Sequence, residues 1–375
     1  MPRSPRVTAA QVAERAGLSV ATVSLVLNGK TDGRVSAANI DRVHAAVAEL
    51  GYVIDRGASA LARGRSDLIV LVAPDLSNPF FGAVIRGIEA ELGERFQLLL
   101  SVTASGVQPT AADVGRFAGL RPAGLLVDAP SDAFLAELSG DEPLVLLDAP
   151  DPRAADARAA DARDADARAS DARDGDARAS DARDAATGIA PAYDAVNYDM
   201  SNAIDQLVAH LAALGHSSIG YLDSTTGTTT FDLRREQLVE AATARGLTVN
   251  APDAARSVIE MGAAASAFAA AWPTLNAAGV TAVVCATDTH AYGALEAARS
   301  LGLSVPSDLA ITGFDDLPYS RVTSPSLTTV RLPGEPLGRA AARRLLAQID
   351  GTDAASGDPA LVATLVVRGS TDPEA

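Results

Sequence analysis

The chain has 375 residues, 48% of them hydrophobic and 21% charged, which is ample for two or three packed units and excludes a chain disordered throughout. A formal net charge of −16 excludes a protein whose whole surface coats nucleic acid. A single cysteine, Cys285, excludes a disulfide framework and a cysteine-based metal cluster, and no apolar run reaches the roughly 18–20 residues that span a bilayer.

The charge is unevenly spread. Residues 1–66 carry nine basic and five acidic side chains, a balance of 9 − 5 = +4, so the remainder carries −20. A basic head on an acidic body points to nucleic acid at one end and another task elsewhere. The basic start at residues 1–6 is followed by no apolar stretch of a secretory signal, so the chain reads as cytoplasmic.

Thr8 and Gln11 have the spacing of a capping box, which predicts a short helix from Ala9 to Ala16 that stops at Gly17. Ser19 is placed to cap a second helix, Val20 to Leu27, ended by Asn28 and Gly29. Ser36 is placed to cap a third, Ala37 to Leu50, closed by Gly51. Val12, Ala16, Leu18, Val23, Val26, Ile40, Val43 and Val47 recur at helical spacing and predict one small shared core. Two short helices about a glycine turn outline a helix-turn-helix, whose second helix presents its first residues to base edges in the major groove. The outward face carries Val20, Ala21, Ser24, Leu25 and Asn28. A three-helix bundle with no DNA role has the same outline.

From Asp67 onward, apolar strand-like runs alternate with helical ones. The first series has Leu68–Ala73, a helix near 81–92, then 98–102, Gly124–Asp128 and 144–148; the second has 219–222, 282–286 and 309–313. Continuous apolar strands alternating with helices predict parallel sheets covered on both faces, and two series predict two lobes. Ligands of such sheets sit beyond the carboxyl ends of the strands, where Asp75, Asp128, Asp148, Asp223, Thr287 and Asp288 fall. There is no G-x-G-x-x-G, P-loop or G-x-S-x-G motif, so neither an enzyme nor a bound cofactor is expected. His44, His210, His216 and His290 are scattered and predict no metal site. Between the two series, residues 151–188 hold Asp-Ala-Arg at a five-residue period from Asp156 to Asp181. With no large apolar residue in the repeats, this insert reads as a solvated, mainly disordered loop.

The run from Val7 to Gly29, with Ala21-Thr22-Val23-Ser24 and Val26-Leu27-Asn28-Gly29 at its centre, resembles the head of the LacI/GalR family of transcriptional regulators. The likeness continues at Glu49-Leu50-Gly51-Tyr52, Asn78-Pro79-Phe80, Leu214-Gly215-His216, Gly313-Phe314-Asp315-Asp316 and Val366-Val367-Arg368-Gly369. It spans the chain apart from the insert. The resemblance implies an α/β protein: an all-α helix-turn-helix head over residues 1–56, a hinge helix over 57–66, and an effector-binding and dimerisation body over 67–375. That body would be two-lobed and periplasmic-binding-protein-like, built of doubly wound parallel sheets. It implies DNA contacts from Thr8, Ser19, Val20, Ala21, Thr22, Ser24, Leu25 and Asn28, and from Ala58 and Leu61 in the hinge, with Leu61 wedging into the minor groove. The hinge departs from the family pattern at Ile54, Asp55 and Gly57, and the recognition helix at Val20, Ala21 and Leu25, which favour thymine methyls over hydrogen-bonded bases.

In the body the resemblance implies effector contacts from Phe80, Asp128, Asp148, Thr287 and Asp288, with Thr287 standing where asparagine is usual. Asp199 matches an acid with a structural role. The family's sugar-binding arginine aligns with Asp232, and Arg234 and Arg235 lie nearby; Arg234 is the candidate ligand. Acids around an aromatic ring suit a polyhydroxylated effector, and a nucleoside or cationic one as well. The partners implied are a pseudo-palindromic operator, a small effector, in the first place a carbohydrate, and a second copy in a homodimer, with no membrane. The body alone would also serve as a solute-binding protein for sugar transport.

Overall fold

A computed structural model of the chain describes residues 7–27, 29, 31–52, 66–74, 76, 78–103, 107–137, 143–149, 193–353 and 360–372. The expectations at Asn28, Ala58, Leu61, Asp75, the hinge over 57–66 apart from Ser66, and the insert over 151–188 lie outside the described residues. The chain divides into two units, Met1–Ser66 and Asp67–Ala375.

The first unit holds helices α1 (Ala9–Ala16), α2 (Val20–Leu27) and α3 (Ala37–Leu50), with the bounds expected from the capping residues. Thr8 and Gln11 close the capping box: the Gln11 N–H donates to Thr8 Oγ1 at 3.3 Å, and the Thr8 N–H to Gln11 Oε1 at 2.8 Å. The Thr22 N–H donates to Ser19 Oγ at 3.1 Å, starting α2. Ser36 departs from expectation: it precedes α3 with an extended backbone but accepts no capping bond from its side chain. Gly17 turns the chain between α1 and α2 at φ 63°, a left-handed conformation that favours glycine. Val12, Ala16, Val23, Val26, Val43 and Ala46 form the buried core.

The second unit contains two sheets. The first has β1 (Leu68–Ala73), β2 (Gln97–Val102), β3 (Gly124–Asp128), β4 (Leu144–Leu147) and β5 (Asp194–Val196) in the order β2-β1-β3-β4-β5, all parallel. Leu126 of β3 lies opposite Leu71 on one side and Val145 on the other. Helices α4 (Phe80–Leu92), α5 (Ala111–Gly115) and α6 (Asp132–Glu137) follow β1, β2 and β3.

The second sheet is built around β6 (Ser218–Ser224), β7 (Thr248–Asn250), β9 (Ala282–Cys285) and β10 (Ala310–Asp315), with β8 (Arg256–Ser257) paired beside β6. β11 (Thr328–Arg331) adds in parallel and β12 (Thr364–Val366) closes the edge antiparallel, an exception to the parallel expectation. The order is β12-β11-β10-β9-β6-β7. Helices α7 (Ser201–Ala213), α8 (Thr229–Ala244), α9 (Met261–Ala277) and α10 (Asp288–Ser300) cover it. Cys285 is buried in β9.

The last helix, α11 (Gly334–Asp350), leaves the second sheet and returns to the first, where Leu337, Ala341 and Leu345 pack with Val84, Ile88, Leu126 and Leu147. The chain therefore passes between the lobes after β5, after β11 and again after α11, rather than completing one lobe before starting the next. The α4–α11 contact is close because glycines meet backbone: a Cβ on Gly338 would stand 2.0 Å from the Val84 oxygen, and one on Gly87 2.2 Å from the Glu335 oxygen. Among the described residues no helix is long and apolar enough to cross a membrane.

Candidate functional site

Both sheets start with the same strand order, so each has a switch point where successive connections leave in opposite directions: between β1 and β3 in one, between β6 and β9 in the other. Residues at those strand ends line a single cleft: Pro74 and Asp128 from the first lobe, Thr226, Thr228 and Thr287 from the second. The space between them is about 560 Å³, its open mouth included.

Arg234, on the first turns of α8, is 1% exposed and lines this cleft. Its Nη1 donates to the Ala286 carbonyl, and its guanidinium lies 4.2 Å from the Phe314 ring centre and 5.2 Å from that of Phe231. It makes no ion pair among the described residues, and its buried Nε has no partner. Aromatic faces hold this cation, leaving its remaining donor capacity for a ligand. Asp232, which aligns with the family's arginine, instead pairs on the surface with Arg235 at 2.8 Å, and Arg235 reaches Asp223 at 2.7 Å. Asp223 is thus an ion-pair anchor beside the cleft.

Three carboxylates line the cleft with Arg234, and two of them, Asp148 and Asp315, feel its charge. Asp128 ends β3 and is 7% exposed; burial, and then the charge of Asp148, push its carboxyl well above the ordinary range. Asp148 follows β4 and keeps part of its surface open to the enclosed cleft. Burial pushes it up to about 6, against hydrogen bonds from Thr230 and Thr228 and the nearby Arg234. Asp315 ends β10; burial raises it, and Arg234 pulls it back. Asp148 and Asp315 both have positive φ, 48° and 113°, so two cleft acids are held in backbone conformations that side-chain-bearing residues seldom adopt. Two hydrogen bonds cross between the lobes here: the Thr230 hydroxyl donates to Asp148, and Asn78 Nδ2 donates to Asp315 Oδ2 at 3.4 Å. Phe80 and Tyr198 line the cleft with ring centres 6.2 Å apart, edge to face, and both pack against the cores of both lobes.

Phe80, Asp128, Asp148, Arg234 and Thr287 are therefore brought together as the sequence reading expects. Asp288 is a correction. It is fully buried, and its carboxylate turns away from the cleft, accepting from the Leu317 N–H at 2.8 Å, the Ser320 hydroxyl at 2.5 Å and the Thr329 hydroxyl at 2.6 Å. Burial raises it to about 7 despite those three donors. Its work is to hold the turn after β10. Asp199 starts α7, accepting from the Ser201 N–H at 2.9 Å, in agreement with a structural role. Asp315, Asn78, Thr230 and Tyr198 were not singled out from sequence. Asp315 ends β10, so the strand-end pattern that points to Asp128 and Asp148 points to it as well.

On the first unit, Thr8, Ser19, Val20, Ala21 and Ser24 are exposed, Val20 at 50%, while Thr22 and Leu25 are half-buried. The outward start of α2 is thus small and largely apolar.

A model described as bacterial regulatory proteins, lacI family, matches residues 8–55, and one described as a periplasmic binding protein-like domain matches residues 208–371. The HTH-type transcriptional regulator reg1 of Streptomyces lividans is 33% identical, over 96% of this chain and 96% of its own. The crystal structure of the lac repressor dimer bound to operator and the anti-inducer ONPF superimposes with a TM-score of 0.74 at 25% identity, covering 98% of this chain and 99% of that one. A complex of the transcriptional regulator CelR with cellobiose does so with a TM-score of 0.57 at 25% identity, covering 97% and 100%.

Proposed function

Since the chain belongs to the lacI family of bacterial regulatory proteins, and is a transcriptional regulator with a DNA-binding and an effector-binding part rather than an enzyme, we propose that it is a cytoplasmic repressor. Its operator affinity is set by a polyhydroxylated effector of the carbohydrate class, bound between its lobes. The observation that carries the effector reading is Arg234, a buried cation with an unpartnered Nε among three carboxylates at the meeting of two switch points. A guanidinium fork and carboxylates together match adjacent hydroxyls as acceptor and donor. The cellobiose complex of CelR supports that class.

The DNA reading places α2 in the major groove, with Ser19, Val20, Ala21, Thr22, Ser24, Leu25 and Asn28 toward bases, Thr8 at the start of the head, and Ala58 and Leu61 in a hinge over 57–66. The division of the chain between Ser66 and Asp67 supports a head and hinge ahead of a body over 67–375. A homodimer on a pseudo-palindromic operator is supported by the lac repressor dimer, and by an apolar face on the second lobe where Tyr319 and Val322 are 67% and 76% exposed beside a groove lined by Tyr292 and Val305.

The test is to select operator DNA from a random pool with the full chain, then titrate it with and without sugars that raise the melting temperature. Effector and operator must change each other's affinity by the same factor. Arg234→Ala should keep DNA binding and lose the effector response. An undiminished response in that variant would remove the cleft from the mechanism.

A further inference from the structure

The charges of the cleft do not balance. Asp128, Asp148 and Asp315 face a single cation, Arg234. Asp148 receives the Thr230 hydroxyl and Asp315 the Asn78 amide, but Asp128 accepts no hydrogen bond among the described residues although it is 93% buried, at 7% exposure, and lines the cavity. Thr287 adds a further acceptor. The Ser257 carbonyl can only accept, so His290 Nε2, 3.3 Å away, carries the ring proton. His290 Nδ1 must then accept, and the Thr287 hydroxyl, at 2.8 Å, commits its proton there. Burial, which lowers His290 to about 4, keeps that ring neutral. The His290 backbone N–H also donates to Thr287 Oγ1 at 3.2 Å, so Thr287 is left with one lone pair and no proton to give.

We propose that Asp128 anchors a positively charged nitrogen, so that the effector is an amine-bearing polyhydroxylated molecule, of the amino-sugar class, rather than a neutral sugar. This deepens the effector-cleft reading above and rests on it. A buried carboxylate without a partner is unfavourable as an anion, and burial, with the charge of Asp148 beside it, pushes the Asp128 carboxyl up. A ligand ammonium takes the place of the carboxyl proton: it brings a positive charge and up to three donors to a spot flanked by Asp128 and Asp148. A hydroxyl brings one donor and no charge, and leaves two neighbouring carboxyls to share a proton.

The experiment is a thermal-shift titration of the full chain with matched pairs at constant ionic strength: glucosamine against glucose, galactosamine against galactose, and N-methylglucamine against sorbitol. At least one amine should reach a given shift at a concentration at least tenfold below that of its neutral partner. In Asp128→Asn, which keeps the shape and removes the charge, the two should come within about twofold. The inference is overturned if no amine exceeds its neutral partner, whether or not any probe binds, or if the preference survives in Asp128→Asn. If no amine exceeds its neutral partner while a neutral sugar stabilises the wild type but not Arg234→Ala, the cation is defeated and the effector cleft is kept. Stabilisation by every active probe that Arg234→Ala leaves untouched would defeat the cleft itself.

Discussion

Gly338→Ala tests whether α4 and α11 depend on backbone-to-backbone contact. The added carbon would stand 2.0 Å from the Val84 oxygen and 3.1 Å from the Ile88 nitrogen. A carbon normally approaches a carbonyl oxygen to about 3.3 Å, so the helices must part by about 1.3 Å. Both obstacles are main chain, so no rotamer change relieves them. A gap near 1 Å forfeits roughly a quarter to a half of the dispersion attraction of each contact across it, here among Ile88, Leu337, Ala341 and Leu345. Overpacking of this kind costs about 3 kcal/mol, at the upper end of its usual range. Replacing a helical glycine by alanine returns about 1 kcal/mol. The net loss is therefore about 2 kcal/mol, a fall of about 5 °C in the melting temperature of the full chain by calorimetry. Gly262→Ala, in the first turn of α9, meets nothing closer than 3.8 Å and should be neutral or slightly stabilising. If Gly338→Ala melts at or above the wild-type temperature, the close packing of α4 on α11 does not support the first lobe.

Asp288→Ala should strand the Leu317 N–H and two hydroxyls, at about 1–3 kcal/mol for each lost acceptor less the relief of no longer burying a charge. A lower unfolding midpoint with unchanged effector affinity is expected, and loss of effector binding in a variant as stable as the wild type would return Asp288 to the cleft. Asp148 titrates near 6 when folded against about 3.9 in an unfolded chain, so it contributes nothing below pH 4 and a penalty that grows between pH 4 and 6 as the unfolded chain ionises first. The melting temperature of Asp148→Asn minus that of the wild type should rise across that window and then level off; a flat difference contradicts the raised value. Val322→Asp places a charge on the exposed apolar face of the second lobe, and sedimentation should show a monomer with unaltered folding if that face joins two copies.

The head was legible to the residue because its boundaries are local chemistry: Thr8, Gln11 and Ser19 meet the first backbone donors, and Gly17 and Gly51 end helices in the left-handed region. Ser36 shows the limit, since a hydroxyl in the capping position need not turn toward the helix. The strands of the body were legible as apolar runs, but the pattern of α11 records only that one face is apolar, not which sheet it will cover. β12 is three residues at an edge, too short to carry a period. In the site, the strand-end rule locates where an acid begins but not where it points. Asp128 and Asp148 turn into the cleft, whereas Asp288, one residue beyond Thr287, is drawn the other way by three donors on the segments after β10 and in β11. Arg234 could not be fixed by alignment because Asp232 and Arg235 lie within two residues of it; burial decided among them.

The return of α11 to the first sheet bears on how the protein is made. The strands of the first lobe are complete in sequence at Val196, yet the helix that covers Leu71, Leu126, Val145 and Leu147 begins only at Gly334. At about 5–20 residues per second, a ribosome needs roughly 7–30 s to cross that interval. Throughout it, one face of a parallel sheet waits on a nascent chain with α4 over it but without α11, while the second lobe emerges. The lobe that comes first in the gene is therefore finished among the last, and a premature stop anywhere before residue 334 would leave both lobes unsound. A chaperone that shelters apolar strands during synthesis would be expected to handle this chain at that stage, before any operator or effector is met.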